Sequence, residues 1–170
     1  MKIVSILAIV ELTESLDLNL LLEKLEDAKT YENLKIVYIR TYPENYYVSF
    51  FGTGKILIYG LKSFDDIDSV AKRILKMMNA SGIFNSIKDI KIGNIVLQGY
   101  IELNKPLESL IISLDPSKAT YEPEVFPALR YKDDINYNLF SNGKVTIVGA
   151  KDLEIAKKNF NKFVELINSI

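Results

Sequence analysis

The feature that most constrains this chain is an internal repeat. Phe51-Gly-Thr-Gly54-Lys55-Ile-Leu-Ile58-Tyr-Gly60-Leu-Lys62 aligns with Phe140-Ser-Asn-Gly143-Lys144-Val-Thr-Ile147-Val-Gly149-Ala-Lys151 at a constant offset of 89 residues, with six identities. The same offset lays Ser5-Ile6-Leu7 on Asn94-Ile95-Val96, and Leu18 on Leu107. The repeating unit is about half of the 170 residues, too long for a solenoid and suited to a duplicated α+β unit.

Each half predicts the same order of elements. An apolar strand comes first, over 3–12 and again over 92–103. A short amphipathic helix follows. In the first half it is capped by Asp17 and puts Leu18, Leu21, Leu22 and Leu25 on one face. In the second half Pro106 stands at the first turn, ahead of Leu107, Leu110 and Ile111. Three β-rich runs come next, 34–42, 46–52 and 55–60, matched by 126–132, 135–141 and 144–149. Gly-Thr-Gly-Lys and Asn-Gly-Lys mark tight hairpins. A longer helix closes each half. The first covers 63–79, with Ser63 as cap, Asp65 and Asp66 in its first turn, and a stripe of Phe64, Ile67, Val70, Ala71, Ile74, Leu75 and Met78. The second covers 152–168 behind Asp152, with Leu153, Ile155, Ala156, Phe160, Phe163, Val164 and Ile167. Residues 83–91 link the halves without a flexible spacer. The expected fold is one α+β domain over 1–170, made of two pseudo-symmetric repeats (about 3–82 and 92–168), with helices on one face of a continuous sheet and the other face open.

Composition removes several classes of chemistry. The chain has no histidine and no cysteine, so imidazole acid–base catalysis, thiol catalysis, disulfides and thiolate metal sites are excluded. With 21 Lys+Arg against 22 Asp+Glu, bulk positive charge cannot drive nucleic-acid binding. The longest charge-free stretch, Met77 to Ile87, is eleven residues and too short to span a bilayer. The start of the chain lacks a small-residue cleavage site, so no signal peptide is expected. Asp65, Asp66 and Asp68 fall in a helix first turn and Asp133-Asp134 in a hairpin turn. Both positions favour acids for local reasons, so neither group is read as a metal or catalytic site.

At Tyr121-Glu122-Pro123-Glu124-Val125-Phe126-Pro127-Ala128-Leu129-Arg130-Tyr131, with Phe-x-x-Gly-Lys-x-x-x-x-Gly-x-Lys in both halves, the sequence resembles the TATA-box-binding protein family, in a diverged, archaeal-type form. The resemblance covers residues 3–168. It implies a ten-stranded antiparallel saddle with four helices on the convex face. It further implies a transcription initiation factor, not an enzyme, that lies in the minor groove of A·T-rich, TATA-like promoter DNA and kinks it with apolar wedges. By resemblance the wedges fall on Leu34, Phe51, Phe126 and Phe140, where Leu34 departs from the family's Phe. The residues alone leave a second reading open, in which these four are ordinary core; Phe50 and Leu139 would fill the core equally well.

The groove floor, again by resemblance, falls on Ser5, Leu7, Leu57, Tyr59, Asn94, Val96, Thr146 and Val148. Asn94 keeps the family's central amide, whereas Ser5, Tyr59 and Val148 depart from the pattern. Ser49 and Asn138 are more polar than the family pattern. Phosphate contacts fall on Arg40, Lys55, Arg130, Lys132 and Lys144, while Asn33 and Asn45 replace family basic residues. The second-half hairpin holds its wedges 14 residues apart against 17 in the first. The loop carrying Glu122, Glu124 and Val125 matches the family's docking point for transcription factor B. The resemblance implies no cofactor, metal or membrane, a monomer on DNA with a dimer off DNA left open, and a cytoplasmic location in an archaeal-type cell or a nuclear one in a eukaryote. The alternative function is a diverged relative that keeps the fold and the protein-partner surface but binds DNA weakly or differently.

Overall fold

The computed structural model describes residues 1–31 and 35–170. The first half runs β1 (Lys2–Leu12), α1 (Leu18–Lys24), β2 (Lys29–Thr30), β3 (Ile36–Arg40), β4 (Tyr47–Phe51), β5 (Lys55–Leu61) and α2 (Asp65–Ala80). The second repeats that order as β6 (Ile87–Tyr100), α3 (Leu107–Ser113), β7 (Ala119–Thr120), β8 (Ala128–Lys132), β9 (Asn136–Phe140), β10 (Lys144–Ala150) and α4 (Leu153–Ser169). The ten strands form one sheet in the order β2-β3-β4-β5-β1-β6-β10-β9-β8-β7. The chain divides into two compact units, Ser5–Gly93 and Met1–Val4 with Asn94–Ile170.

In the first unit β3, β4, β5 and β1 pair antiparallel in sequence, with Val48 opposite Ile58 and Ala8 opposite Ile58 on the other side. Alternation sends Ile6, Ala8, Val10, Val48, Phe50, Ile56 and Ile58 to the helical side, where all are buried. Ile67, Val70, Ala71, Ile74 and Met78 of α2 meet them, and Leu21 of α1 adds a further buried contact. The second unit repeats the arrangement with Ile95, Leu97, Leu129, Leu139, Val145 and Ile147 under Ala156, Phe160, Phe163 and Ile167 of α4. Burial of each large aliphatic or aromatic side chain contributes about 1.5–3 kcal/mol, so these two layers dominate stability.

Turn and cap chemistry account for most of the boundaries. Gly54 and Gly143 have φ of +85° and +82°, and a Cβ at either would overlap a backbone carbonyl, of Glu14 and Ile101 respectively. That is why the repeat places glycine in both hairpins. Asp17 accepts the N–H groups of Asn19 and Leu20, and Asp152 accepts that of Ile155 at 2.9 Å, as N-caps should. Ser63 acts one step earlier than expected. Its hydroxyl accepts from Asp65 N–H at 3.2 Å, but Phe64 already has helical φ/ψ, so the helix begins with a tight turn behind the serine. Pro106 stands in the extended cap position, and its carbonyl accepts the N–H of Leu110. Two further boundaries differ from expectation. The stretch 83–91 is not all linker, since β6 starts at Ile87, where Ser86 carbonyl already accepts from Thr13 N–H. The stripe residues Phe64 and Ile155 lie outside the buried faces of their helices, at 37% and 60% exposure.

One close approach deserves a test. A Cβ on Gly99 of β6 would stand 2.5 Å from the Phe160 ring of α4, so helix and strand meet there with no room for a methyl group. Gly99→Ala is expected to lower the unfolding free energy by about 1–3 kcal/mol in urea titrations, the usual penalty for overpacking. The same change in a Phe160→Leu background should cost clearly less; equal costs would contradict this packing.

Candidate nucleic-acid interface

The face of the sheet opposite the helices holds nearly all the residues singled out from the sequence. In the first unit, register places them in two rows. One runs Tyr38, Ser49, Leu57, Ile9, and the next runs Arg40, Tyr47, Tyr59, Leu7. Phe51 lies opposite Ile36 and is half-buried, while its neighbour Phe50 is fully buried on the helical side. Leu34 and Asn33 lie outside the described residues. Ser5, Arg40, Tyr47, Tyr59 and Lys62 line one shallow open depression.

The second unit brings its two phenylalanines together. The rings of Phe126 and Phe140 meet edge to face at 6.0 Å, and the Arg130 guanidinium stands 5.3 Å over Phe126, a cation–π geometry. Leu139, beside Phe140, is fully buried on the other side. The core reading therefore applies to Phe50 and Leu139, and Phe51 and Phe140 face away from the helices. Rows corresponding to those of the first unit run Arg130, Asn138, Thr146, Gln98 and Lys132, Asn136, Val148. Val96, half-buried, alternates with buried Ile95 and Leu97.

Asn94 carries a detail that the sequence does not reveal. Its Oδ1 accepts the backbone N–H of Gly149 at 2.8 Å, where the β6–β10 register shifts and Gly149 has a φ of +97°. A backbone N–H can only donate, so it fixes the amide with its oxygen turned to Gly149. The Nδ2 group is left as two donors without a partner among the described residues.

Lys55, Lys132 and Lys144 are exposed and have no ion pair among the described residues. Ion pairs form at other cations: Lys118 with Asp133 at 2.8 Å, Lys157 with Glu154 at 2.6 Å, and Arg73 bidentate to Glu44 at 2.9 Å. Arg40 donates to the Asn45 carbonyl at 3.3 Å and stands 4.8 Å over the Tyr47 ring. Glu122, Glu124 and Val125 are exposed, Val125 at 73%, in a turn closed by the N–H groups of Val125 and Phe126 on the Glu122 carbonyl.

Sequence reasoning missed a cluster of tyrosines. Tyr31 stacks on Tyr38 at 4.9 Å, Tyr38 meets Tyr47 at 5.1 Å, and Tyr47 meets Tyr59 at 5.7 Å. Ser49, directly opposite Tyr38, is only 4% exposed although no helix covers it. Desolvation within this cluster raises the Tyr38 and Tyr47 hydroxyls above the ordinary phenol range, and the Tyr31 hydroxyl adds to the rise in both. The signal was available in part: Tyr38 and Arg40, Tyr47 and Ser49, and Leu57 and Tyr59 each share parity, but only the strand register aligns them.

A duplicated unit with helices on one sheet face and aromatic and cationic side chains on the opposite face defines a two-layer α+β repeat protein. The family model that matches is "Transcription factor TFIID (or TATA-binding protein, TBP)", over residues 1–81 and 89–170, and the chain belongs to this family. It is 29% identical over 177 residues to the TATA-box-binding protein of Archaeoglobus fulgidus, covering 99% of this chain and 95% of that one. It is 35% identical over 167 residues to that of Methanothermobacter thermautotrophicus, covering 95% and 91%. Among solved structures, Methanococcus jannaschii TBP superposes with a TM-score of 0.86 at 28% identity, covering 99% of this chain and 98% of that one.

The loop that supports Arg40 is tied to α2 by the Glu44–Arg73 pair. Hydrogen bonds from Arg73 hold the Glu44 carboxyl below the usual carboxylate range. A depressed carboxylate contributes stability above its unfolded value and loses it as pH falls through its folded value. Glu44→Gln is therefore expected to lower Tm at neutral pH, with the difference from the parent closing in acid below the folded value. A pH-independent difference in thermal melts would contradict the assignment.

Proposed function

We propose that this chain is a general transcription initiation factor that binds the minor groove of TATA-like, A·T-rich promoter DNA, kinks it with apolar wedges and recruits transcription factor B. The observation that carries this reading is the Phe126–Phe140 pair on the face that no helix covers, together with Asn94, whose amide keeps two donors without a partner among the described residues. In the minor groove an A·T pair presents only acceptors, adenine N3 and thymine O2, and these match the Asn94 amide donors. Phe126 and Phe140, with Phe51 and Leu34 in the first half, supply the apolar bulk for insertion between base steps; unstacking costs a few kcal/mol per step, offset by the larger wrapped contact. Leu7, Leu57, Val96, Thr146 and Val148 form the floor around Ser5, Tyr59 and Asn94. Lys55, Lys132, Lys144, Arg40 and Arg130 neutralise phosphates, so affinity should fall with salt, with a slope made shallower by Asn33 and Asn45 in place of basic residues. Family membership supports the DNA-binding and transcriptional part of this reading, and a protein of this kind acts by shaping DNA and assembling partners, not by catalysis. It works as a monomer on DNA, without a cofactor, metal or membrane, and in the cytoplasm of an archaeal-type cell.

For transcription factor B, the support is the exposed turn of Glu122, Glu124 and Val125. Two carboxylates and an apolar side chain project there from a loop whose backbone is closed on itself. Reversing both charges, Glu122→Arg with Glu124→Arg, should abolish the ternary complex while leaving binding of DNA alone intact, since like charges across an interface cost several kcal/mol. Unchanged ternary assembly would remove this turn from the interface.

The DNA reading is tested by band-shift titration at fixed salt on TATA and scrambled duplexes. Phe126→Ala should weaken TATA binding by about 1–3 kcal/mol, the range for one base–aromatic stack. Asn94→Asp is the sharper variant. A carboxylate still accepts from Gly149 N–H, so stability should hold, but it offers no donor to the groove, and affinity should drop by at least about 1–3 kcal/mol. Equal affinity of the parent protein for TATA and scrambled DNA would favour instead the relative that keeps the fold and partner surface without reading DNA.

A further inference from the structure

The two halves share one backbone plan but differ in chemistry on the uncovered face. Four side-chain amides stand on the second half: Asn94 and Gln98 on β6, Asn136 and Asn138 on β9. The matched rows of the first half carry none. In their place, Tyr38, Tyr47 and Tyr59 form a ladder across β3, β4 and β5, extended by Tyr31 and with Arg40 over Tyr47. Tyr47 and Tyr59 occupy the positions that Asn136 and Val148 hold 89 residues later.

These groups meet a base pair differently. An amide clamped by the backbone, as Asn94 is by Gly149, has a donor in a fixed place; it suits the acceptors of A·T and opposes the protruding amino group of guanine. A phenol hydroxyl rotates and can donate or accept, so it satisfies either kind of edge. Its ring presents flat apolar area to sugars at little entropic cost, because it has only two side-chain torsions. The contacts between successive rings, at 4.9 to 5.7 Å, hold the ladder in place without DNA.

Resting on the minor-groove reading above, we infer that the tyrosine ladder Tyr38–Tyr47–Tyr59 makes the first half a sequence-tolerant grip, which accepts G·C pairs where the amide-bearing second half rejects them. The DNA element recognised by this chain is then asymmetric because of its own side chains, and Tyr47 and Tyr59 determine that specificity.

The test uses the full chain and a set of A·T duplexes carrying one G·C pair at successive positions. The absence of cysteine lets a single introduced thiol carry an iron chelate for directed DNA cleavage. Thr53→Cys in the first hairpin and Ser141→Cys in the second show which positions lie under which half; both sites are exposed. Under the second half, one G·C pair should lower affinity by about 5- to 150-fold, the range for one mismatched pair; under the first, by less than about 5-fold. Tyr47→Asn with Tyr59→Val transplants the residues of the second half onto the first, and should raise the first-half penalty into the upper range. Tyr59→Val alone, with circular dichroism as a folding check, serves if the double variant does not fold, and should raise the penalty partway. Equal G·C penalties in both halves of the parent protein, or an unchanged first-half penalty in folded variants, would overturn the inference while leaving minor-groove binding standing. No preference for the A·T duplex over scrambled DNA would instead overturn the functional reading on which it rests.

Discussion

Each half of this protein is governed by one-sided burial. Helices cover a single face of the strands, and a strand turns every second side chain to the other face. Phe50 and Phe51, or Leu139 and Phe140, are therefore neighbours in sequence with opposite fates: the first of each pair is fully buried, the second only half-buried. The buried partner supplies folding free energy, about 1.5–3 kcal/mol for a side chain of that size. The outward partner recovers only part of that and leaves apolar surface in water, a feature that marks interaction surfaces. The uncovered face can be spent on binding because the covered one is sufficient for folding.

Duplication fixed the frame, and side-chain divergence then gave the halves different surfaces. Gly60 and Gly149 keep φ values of +95° and +97°, so the same backbone distortion stands next to β1 and β6. In the second half Asn94 fills it with a carbonyl, which satisfies Gly149 N–H and orients the amide. In the first half the matched residue is Ser5, and the polar groups beside it in the same depression are phenols and Arg40. A single frame thus carries a hydrogen-bonding surface on one half and an aromatic one on the other.

Much of this was legible in the sequence, for identifiable reasons. The glycine hairpins were visible because Gly54 and Gly143 have no substitute that fits beside a carbonyl. The Asp17 and Asp152 caps were visible because a short carboxylate satisfies helix N–H groups locally. The two-residue strands β2 and β7 were not, since Lys29–Thr30 and Ala119–Thr120 are too short to show a period and exist only through pairing with β3 and β8. The beginning of β6 carries no strand signal in the sequence because Lys88, Asp89 and Lys91 break its apolar run; pairing, not hydrophobicity, makes it a strand. For the site, residue types were legible but their relations were not. The ladder from Tyr38 to Tyr59 depends on a register set by the turn at 41–46, and the Asn94 clamp depends on a backbone distortion 55 residues away.

The central claim is that the uncovered face reads DNA from the minor groove, and inosine tests it directly. An I·C pair differs from A·T in the major groove but lacks guanine's 2-amino group, so its minor-groove edge is that of A·T. Binding should be measured on three duplexes at one salt concentration: the A·T element, the same element with every pair under the second half changed to I·C, and the same pairs changed to G·C. The account predicts that the I·C duplex binds about as well as A·T, and that the G·C duplex loses at least about 5-fold per altered pair. An I·C duplex bound as poorly as G·C would place recognition in the major groove and contradict it.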